Sequence, residues 1–215
     1  MLIHAVAHPG GDDLQPTLIA LHGYGAHAQD LLGLQPALAG GRLLMLCPQA
    51  PHSIEMGYPG YSWSVAPPGG GGNADGIAAA AEAVLTFIES ATRRYPIDPT
   101  RIALLGFSQG GMVATRIALQ APERFAGLAL LSTRTAERSV GTLTPATGAE
   151  RLPVLVQHGE RDQQIAVEEG RATLDRLRAL GLDATYQEYP MGHEVSSRSA
   201  ADLSTWLALV LRLDA

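Results

Sequence analysis

The sequence predicts an α/β fold in which a mostly parallel central sheet carries helices on both faces. Short apolar runs typical of strands alternate along the chain with longer segments of helical periodicity. Most strand candidates are continuously apolar, as expected where both faces of a parallel sheet are covered. The 215 residues suffice for one full core, and neither an internal repeat nor an interdomain linker is visible. We therefore predict a single domain over residues 1–215.

The predicted elements follow in alternation. The strand candidates are TLIALH, RLLMLC, RIALLGF, FAGLALLS, PVLVQH and ATYQEY, at residues 17–22, 42–47, 101–107, 125–132, 153–158 and 184–189. The helical patterns are GIAAAAEAVLTFIESATRR, capped by Asp75, then GGMVATRIALQ, VEEGRATLDRLRALG and the terminal SRSAADLSTWLALVLRL. Residues 48–74 are too long for an ordinary connection, and loops of this length are usually functional or mobile.

Composition narrows the classes of function. The net charge of −6 disfavours nucleic acid and anionic membrane as partners. All fifteen basic residues are arginine, which excludes Schiff-base chemistry and a Ser-Lys dyad. The single cysteine, Cys47, has no intrachain disulfide partner and fits a reducing compartment. Since no signal peptide and no apolar run of about 18 residues is visible, we predict a cytoplasmic protein without a membrane span.

Ser108 occupies an unusual position in the chain. It lies between two glycines in GFSQG, where a strand pattern changes to a helical one. In this G-x-S-x-G context a tight strand-to-helix turn directs the serine Oγ away from the sheet. The helix that follows directs its N-terminal amides towards developing negative charge. The sequence therefore predicts a nucleophile at Ser108.

A serine nucleophile needs a general base. In parallel α/β sheets the working groups come from loops at the carboxyl ends of strands. His193, in MGHEVS, directly follows the last strand candidate. His158 and His22 also end strands, but the first opens a turn and the second belongs to LHGYG. We therefore predict His193 as the base, which must be neutral to act, so activity should fall as the pH is lowered.

The base in turn needs an acid that orients it. Asp162 follows the strand candidate PVLVQH and lies between Ser108 and His193 in the chain. The order Ser, Asp, His is that of the α/β-hydrolases. Glu160, two residues earlier in the same turn, is the close alternative.

Two further sets of residues are candidates for binding substrate. The backbone N–H of Gln109, directly after the nucleophile, is one expected oxyanion donor, and the N–H of Tyr24 in the glycine-rich LHGYG is the second. The long segment 48–74 suggests an apolar wall for the acyl group. Its candidate members are Met56, Tyr58, Tyr61 and Trp63.

The chain resembles the carboxylesterase/phospholipase family, which includes bacterial carboxylesterases and the acyl-protein thioesterases. The segments LHGYG, CPQAP, GFSQGGMVA, HGERD and MGHEVS occur in the family's order. The resemblance implies an α/β-hydrolase fold without a separate cap domain and without a cofactor. It also implies a Ser108, Asp162 and His193 triad, with the amides of Tyr24 and Gln109 as the oxyanion hole.

Two departures from the family's pattern lie where specificity is expected. Family members usually have Trp followed by an aromatic residue and Asp, whereas Trp63 is followed here by Ser64 and Val65. They also tend to have Ser-Gly after the strand that precedes the acid, whereas Ser132 is followed here by Thr133. We therefore expect a reshaped acyl pocket with the reaction class retained.

The predicted function is that of a serine hydrolase. It cleaves carboxylic esters, or thioesters, of short to medium acyl groups through an acyl-enzyme, without a metal, because HGYGAH is no H-E-x-x-H zinc motif. Two alternatives stay open: a non-catalytic small-molecule receptor on the same scaffold, and an interaction protein that docks through residues 48–74. Nothing in the sequence points to or against a homo-oligomer.

Overall fold

The computed structural model describes residues 2–55, 57–65 and 73–213. Within these ranges the strands are β1 (His4–Ala7), β2 (Gln15–Leu21), β3 (Leu44–Pro48), β4 (His52–Glu55), β5 (Pro59–Ser62), β6 (Ile97–Phe107), β7 (Gly127–Leu131), β8 (Val154–Gly159) and β9 (Ala184–Tyr189). The α-helices are α1 (Ala74–Thr92), α2 (Gln109–Gln120), α3 (Glu137–Val140), α4 (Val167–Ala179) and α5 (Ser197–Val210). None of these helices is long and apolar enough to cross a membrane.

Seven strands form one sheet in the order β1-β3-β2-β6-β7-β8-β9. Within this sheet, neighbours along β3-β2-β6-β7-β8-β9 pair in parallel, and β1 pairs antiparallel with β3. Strands β3, β7 and β8 are buried along their whole length, which explains why their sequences are continuously apolar. The predicted, mostly parallel sheet is confirmed.

Helices cover the sheet on both faces. Successive residues of a strand point to opposite sides, so each strand contributes side chains to both cores. In β2, Ile19 and Leu21 pack into the core beneath α1 and α2, whereas Leu18 and Ala20 pack into the core on the other face. That second core contains three leucines at the C-terminal end of the chain, Leu203, Leu207 and Leu211.

The strand order reverses direction between β2 and β6. From β2 the chain passes outward to β3, and it then returns to place β6 on the other side of β2. At such a reversal the loops at the carboxyl ends of the two strands diverge, and a binding crevice opens between them. The loop after Leu21 and the turn after Phe107 therefore border this crevice.

The helix termini show one prediction that was wrong. The Asn73 side chain accepts a hydrogen bond from the Gly76 N–H at 2.6 Å and caps α1, so the predicted cap, Asp75, lies inside the first turn. At the start of α5, Ser196 and Ser199 form a reciprocal capping box.

The predicted long connection over residues 48–74 contains structure of its own. Strands β4 and β5 form an antiparallel hairpin. The Gly25 N–H donates to the Tyr61 carbonyl at 2.9 Å, and the Tyr61 N–H donates to the Ala26 carbonyl at 3.0 Å. Strands β1, β4 and β5 are each four residues long, and most of their residues are not buried. Their sequences therefore lack a long apolar run, the pattern that predicted most of the other strands.

Cys47 is buried at the end of β3, and burial raises the pKa of its thiol to about 12. The thiol therefore stays protonated at neutral pH, and the thiolate is the reactive form. We expect no reaction with dithiobis(nitrobenzoate) at pH 8 in the folded protein, and reaction of one thiol per chain after unfolding in guanidinium chloride. Rapid labelling of the folded protein would contradict the burial of this side chain.

Candidate active site

Ser108 connects β6 to α2 with a backbone conformation that non-glycine residues rarely adopt. Its φ is 53° and its ψ is −120°. The neighbouring chain is packed so closely that a Cβ on Gly106 would clash with the Gly110 carbonyl, and a Cβ on Gly110 would clash with the Leu21 carbonyl. Both glycines of GFSQG are therefore required by close backbone approach, as the motif predicts.

Asp162 and His193 contact each other directly. The His193 Nδ1–H donates to Asp162 Oδ2 at 2.7 Å, and the carboxylate is buried. The other oxygen, Oδ1, accepts the backbone N–H groups of Gln164 and Ile165, each at 2.9 Å. With the proton held on Nδ1, Nε2 of His193 carries the lone pair that a general base needs.

The His193 ring also reaches the turn at Ser108. It packs against the ring of Phe107, the residue before Ser108, with 4.8 Å between ring centroids. No hydrogen bond joins the side chains of Ser108 and His193 within the described residues. Such contacts are often long in the free enzyme and tighten when substrate is bound.

Glu160, the alternative acid, has a different environment. Its side chain is exposed, and its backbone N–H donates to the Tyr189 carbonyl at 2.8 Å. Of the two carboxylates in this turn, Asp162 is the one that contacts His193.

His158 is a buried neighbour of the acid, and the sequence indicated only a packed turn residue there. Its Nε2–H donates to the Ile165 carbonyl at 2.9 Å and lies 3.5 Å from Asp162 Oδ2. The ring is fully buried. It therefore supports the turn that presents the Asp162 carboxylate to His193.

The LHGYG loop is held by His22, whose ring nitrogens are both occupied. Nδ1–H donates to the Gly23 carbonyl at 2.8 Å, and Nε2 accepts the Ala50 N–H at 3.1 Å. Burial lowers the pKa of His22, which keeps the ring neutral and compatible with these two bonds. A Cβ placed on Gly23 would lie 3.3 Å from the Cβ of Ser108, so the loop directly adjoins this serine.

Gln109 and Trp63 form a hydrogen-bonded group on the other side of the crevice. Gln109 is the first residue of α2, so its backbone N–H has no acceptor within the helix. Its side-chain Oε1 accepts the Trp63 N–H at 2.9 Å and the Ser62 hydroxyl at 3.2 Å. The Trp63 indole N–H donates to the His22 carbonyl at 2.8 Å.

Of the four residues predicted as an acyl wall, the three that the structure describes are not brought together. Trp63 is only 1% exposed and packs behind the LHGYG loop, because its indole N–H is hydrogen-bonded there. Tyr58 is 58% exposed at the hairpin tip, and Tyr61 is half-buried beside the N-terminal strand. Met56 lies outside the described residues.

A different, mostly apolar pocket of about 300 Å³ lies next to the turn at Ser108. Gly23 and Phe107 border it, and both lie against Ser108 or His193. The complete lining is His22, Gly23, Ala26, Asp30, Leu31, Leu34, Phe107 and Val195. Leu34 lies in a 3-10 helix (Leu32–Ala37) and Leu31 directly precedes it, and a helix this short shows no periodic pattern in the sequence.

Among the described residues, the crevice combines a serine, a histidine and a carboxylate rather than a cluster of metal-binding side chains. Within the part of the chain that the structure describes, no three His, Cys, Asp or Glu side chains form a group able to hold a metal ion. What the crevice does present is a serine on a strained turn, a histidine paired with a carboxylate, and two loops with backbone N–H groups.

Known proteins resemble this chain over most of its length. A family model described as phospholipase/carboxylesterase matches residues 3–211. Acyl-protein thioesterase 1 of Mycosarcoma maydis is 29% identical over 219 residues, covering 91% of each chain. A probable SOBER1-like carboxylesterase of Arabidopsis thaliana is 31% identical over 112 residues, which cover 52% of this chain and 43% of that protein. The second match thus spans less than half of its relative.

Solved structures share the fold at low sequence identity. Esterase PE8 superimposes with a TM-score of 0.84 at 24% identity, covering 97% of this chain and 99% of the other. The Bacillus cereus carboxylesterase has a TM-score of 0.81 at 20% identity, with coverage of 98% and 95%. The predicted α/β-hydrolase fold is thereby confirmed. Because the family model spans nearly all of its residues, the chain belongs to the phospholipase/carboxylesterase family.

Proposed function

We propose that this protein is a serine hydrolase that cleaves carboxylic esters or thioesters of short to medium acyl groups through an acyl-enzyme. Membership in a family of esterases supports hydrolysis of ester-type bonds. The observation that carries the proposal is the 2.7 Å bond between His193 and Asp162, in the same crevice as the strained Ser108. Nucleophile, base and orienting acid on adjacent loops are the requirement for this chemistry.

In the first half of the reaction, Ser108 Oγ attacks the acyl carbonyl carbon while its proton passes to Nε2 of His193. The buried Asp162 carboxylate stabilises the imidazolium that forms. The backbone N–H groups of Tyr24 and Gln109 stabilise the oxyanion of the tetrahedral intermediate. Collapse of that intermediate breaks the bond to the alcohol or thiol, which leaves with the proton from His193.

In the second half, His193 takes a proton from water, and the hydroxide oxygen attacks the acyl carbon of the Ser108 ester. The same two amides stabilise the second oxyanion. Expulsion of the Ser108 oxygen, which takes the proton back from His193, releases the carboxylic acid. Asp162 keeps its negative charge throughout, since its role is to hold the ring and its charge.

The size of the pocket beside Phe107 limits the expected length of the acyl group. Its volume of about 300 Å³ is at the small end of ligand pockets. Leucine side chains line it, and one carboxylate, Asp30, is included. The Asp30 side chain is exposed at the edge of the pocket and accepts the His27 N–H at 3.0 Å, so it keeps that edge polar and hydrated. The small volume and this charged edge suit short to medium uncharged acyl groups.

We expect kcat/KM for p-nitrophenyl butyrate to exceed that for the palmitate. Replacing the half-buried Leu34 with alanine enlarges the pocket and should raise the octanoate-to-butyrate ratio of kcat/KM by about tenfold. The matched control is Leu14→Ala, because Leu14 is 58% exposed and precedes β2 at the opposite end of the sheet. A wild-type enzyme that prefers palmitate would overturn the assignment of this pocket.

A fluorophosphonate probe tests the enzyme against the receptor alternative. The probe forms a covalent bond only with an activated serine, so we expect labelling of Ser108 in the folded protein and none after heat denaturation. Mass spectrometry of the digested protein identifies the modified peptide. Absence of labelling, together with no turnover of any p-nitrophenyl ester or acyl thioester, would favour the non-catalytic receptor.

A further inference from the structure

Thr133 forms a hydrogen bond to the backbone of the nucleophile. It follows β7, is fully buried, and its hydroxyl donates to the carbonyl oxygen of Ser108 at 2.7 Å. The same oxygen also accepts the Gly111 N–H at 2.9 Å. Two donors therefore hold this one carbonyl group in a fixed direction.

That carbonyl belongs to the peptide group that carries the Gln109 N–H. A peptide group is planar, so fixing the direction of its oxygen also fixes the direction of the N–H on the opposite side. A hydrogen bond accepted by the oxygen also polarises the amide and makes its N–H a stronger donor. The Thr133 hydroxyl thus acts, through one peptide plane, on the amide proposed to stabilise the oxyanion.

The second oxyanion peptide shows the same arrangement. The Gly23 carbonyl accepts the Nδ1–H of His22 at 2.8 Å, and the N–H of that peptide is the one on Tyr24. Both proposed donors therefore belong to peptide groups whose oxygens are held by a buried side chain. Two such bonds, formed by residues from separate loops, are consistent with a common role in orienting the N–H groups.

The surroundings of Thr133 explain how the hydroxyl reaches its acceptor. A Cβ on Gly111 would lie 2.6 Å from both the Cβ and the Oγ1 of Thr133, so the threonine fits only against a glycine. The preceding residue, Ser132, has a φ of 45°, and its N–H donates to the Gln157 carbonyl at 2.9 Å. The turn after β7 is therefore held in the conformation that directs Thr133 towards Ser108.

We propose that Thr133 is a positioning residue that orients and polarises the Ser108–Gln109 peptide for stabilisation of the oxyanion. The inference rests on the proposed function. Thr133 does not contact the reacting atoms, and its contribution passes through the Gln109 N–H.

The test compares two pairs of variants that differ by one hydroxyl. The wild-type threonine is compared with Thr133→Val, and Thr133→Ser is compared with Thr133→Ala, which keeps the comparison possible if valine is too bulky to fold. In both pairs loss of the hydroxyl should lower kcat for p-nitrophenyl butyrate by about fivefold, the equivalent of one ordinary hydrogen bond, with KM changed less than twofold. Ser108→Ala is measured in parallel.

A second measurement separates positioning from general support of the fold. The inhibition constant of an alkyl trifluoromethyl ketone, whose adduct with the serine has an oxyanion, should rise in the same proportion as kcat falls. Inhibition by butyrate, the planar product, should not change. The control is Thr115→Val, which removes a hydroxyl of α2 that donates to the Gly111 carbonyl at 2.8 Å. It should leave kcat and the inhibition constants of the ketone and of butyrate unchanged.

The outcomes are distinguishable. If both hydroxyl-deleted variants keep wild-type kcat and ketone affinity while Ser108→Ala is inactive, the proposed role of Thr133 is wrong and the proposed function stands. If butyrate and ketone affinity fall equally, Thr133 supports the site only structurally, and the inference is likewise wrong. If Ser108→Ala remains active, the proposed function itself fails.

Discussion

Replacing Ser108 with alanine should lower kcat for ester hydrolysis by about 10⁶-fold, the size of loss found when a serine protease loses its nucleophile. The methyl group cannot form the acyl-enzyme, so the remaining rate comes from substrate binding and the oxyanion amides alone. The fold should be unaffected, because the Ser108 side chain makes no cap hydrogen bond and its backbone N–H still donates to the Leu131 carbonyl.

The measurement is hydrolysis of p-nitrophenyl butyrate, with circular dichroism and thermal unfolding as checks on structure. Ser53 provides a matched control, because it is an exposed serine on strand β4. Ser53→Ala should retain wild-type kcat and fluorophosphonate labelling, whereas Ser108→Ala should lose both. If Ser108→Ala keeps more than about one hundredth of the wild-type rate, another nucleophile is at work.

Replacing Asp162 with asparagine should lower kcat by about 10⁴-fold, as the equivalent change does in the serine-protease triad. The structure gives the reason. The backbone N–H groups of Gln164 and Ile165 donate to Oδ1, so the amide oxygen of an asparagine would take that position. Its NH₂ group would then point at His193 Nδ1 and donate to it.

Replacing Asp162 with asparagine should therefore change the tautomer of His193. When Nδ1 accepts a hydrogen bond, the ring proton moves to Nε2, which can then no longer take the proton of Ser108. The imidazolium also loses the negative charge that stabilises it. The loss should appear in kcat, with thermal stability close to that of the wild type because both backbone bonds to residue 162 remain.

Glu160→Gln is the matched control for this prediction, since it makes the same chemical change two residues away in the same turn. Neutralising the exposed Glu160 side chain should lower kcat/KM by less than about tenfold, because solvent screens its charge from the crevice. Both proteins should be purified together and compared after circular dichroism. If Glu160→Gln loses most of its activity while Asp162→Asn keeps nearly all of it, the orienting acid is misassigned.

Much of the architecture was predictable because it depends on short-range patterns. Strands buried on both faces are continuously apolar, which describes most of the six predicted strands, and all six belong to the main sheet. The position of Ser108 was visible because its glycines and the change of periodicity are local features. Parallel strands end at one edge, so Asp162 and His193 could be expected near each other from their places in the sequence alone.

The sequence by itself therefore determined six of the seven strands of the main sheet, the alternation of helices and strands, and which residues follow the strand ends. Only the tertiary structure decided what surrounds them: the pocket at Leu31 and Leu34, the burial of Trp63, and the bond from Thr133 to the Ser108 carbonyl. The physical reason is the range of the interactions. A strand or helix follows from the pattern of its own residues, whereas a pocket or a side-chain hydrogen bond depends on distances between segments far apart in the chain, which no local pattern encodes.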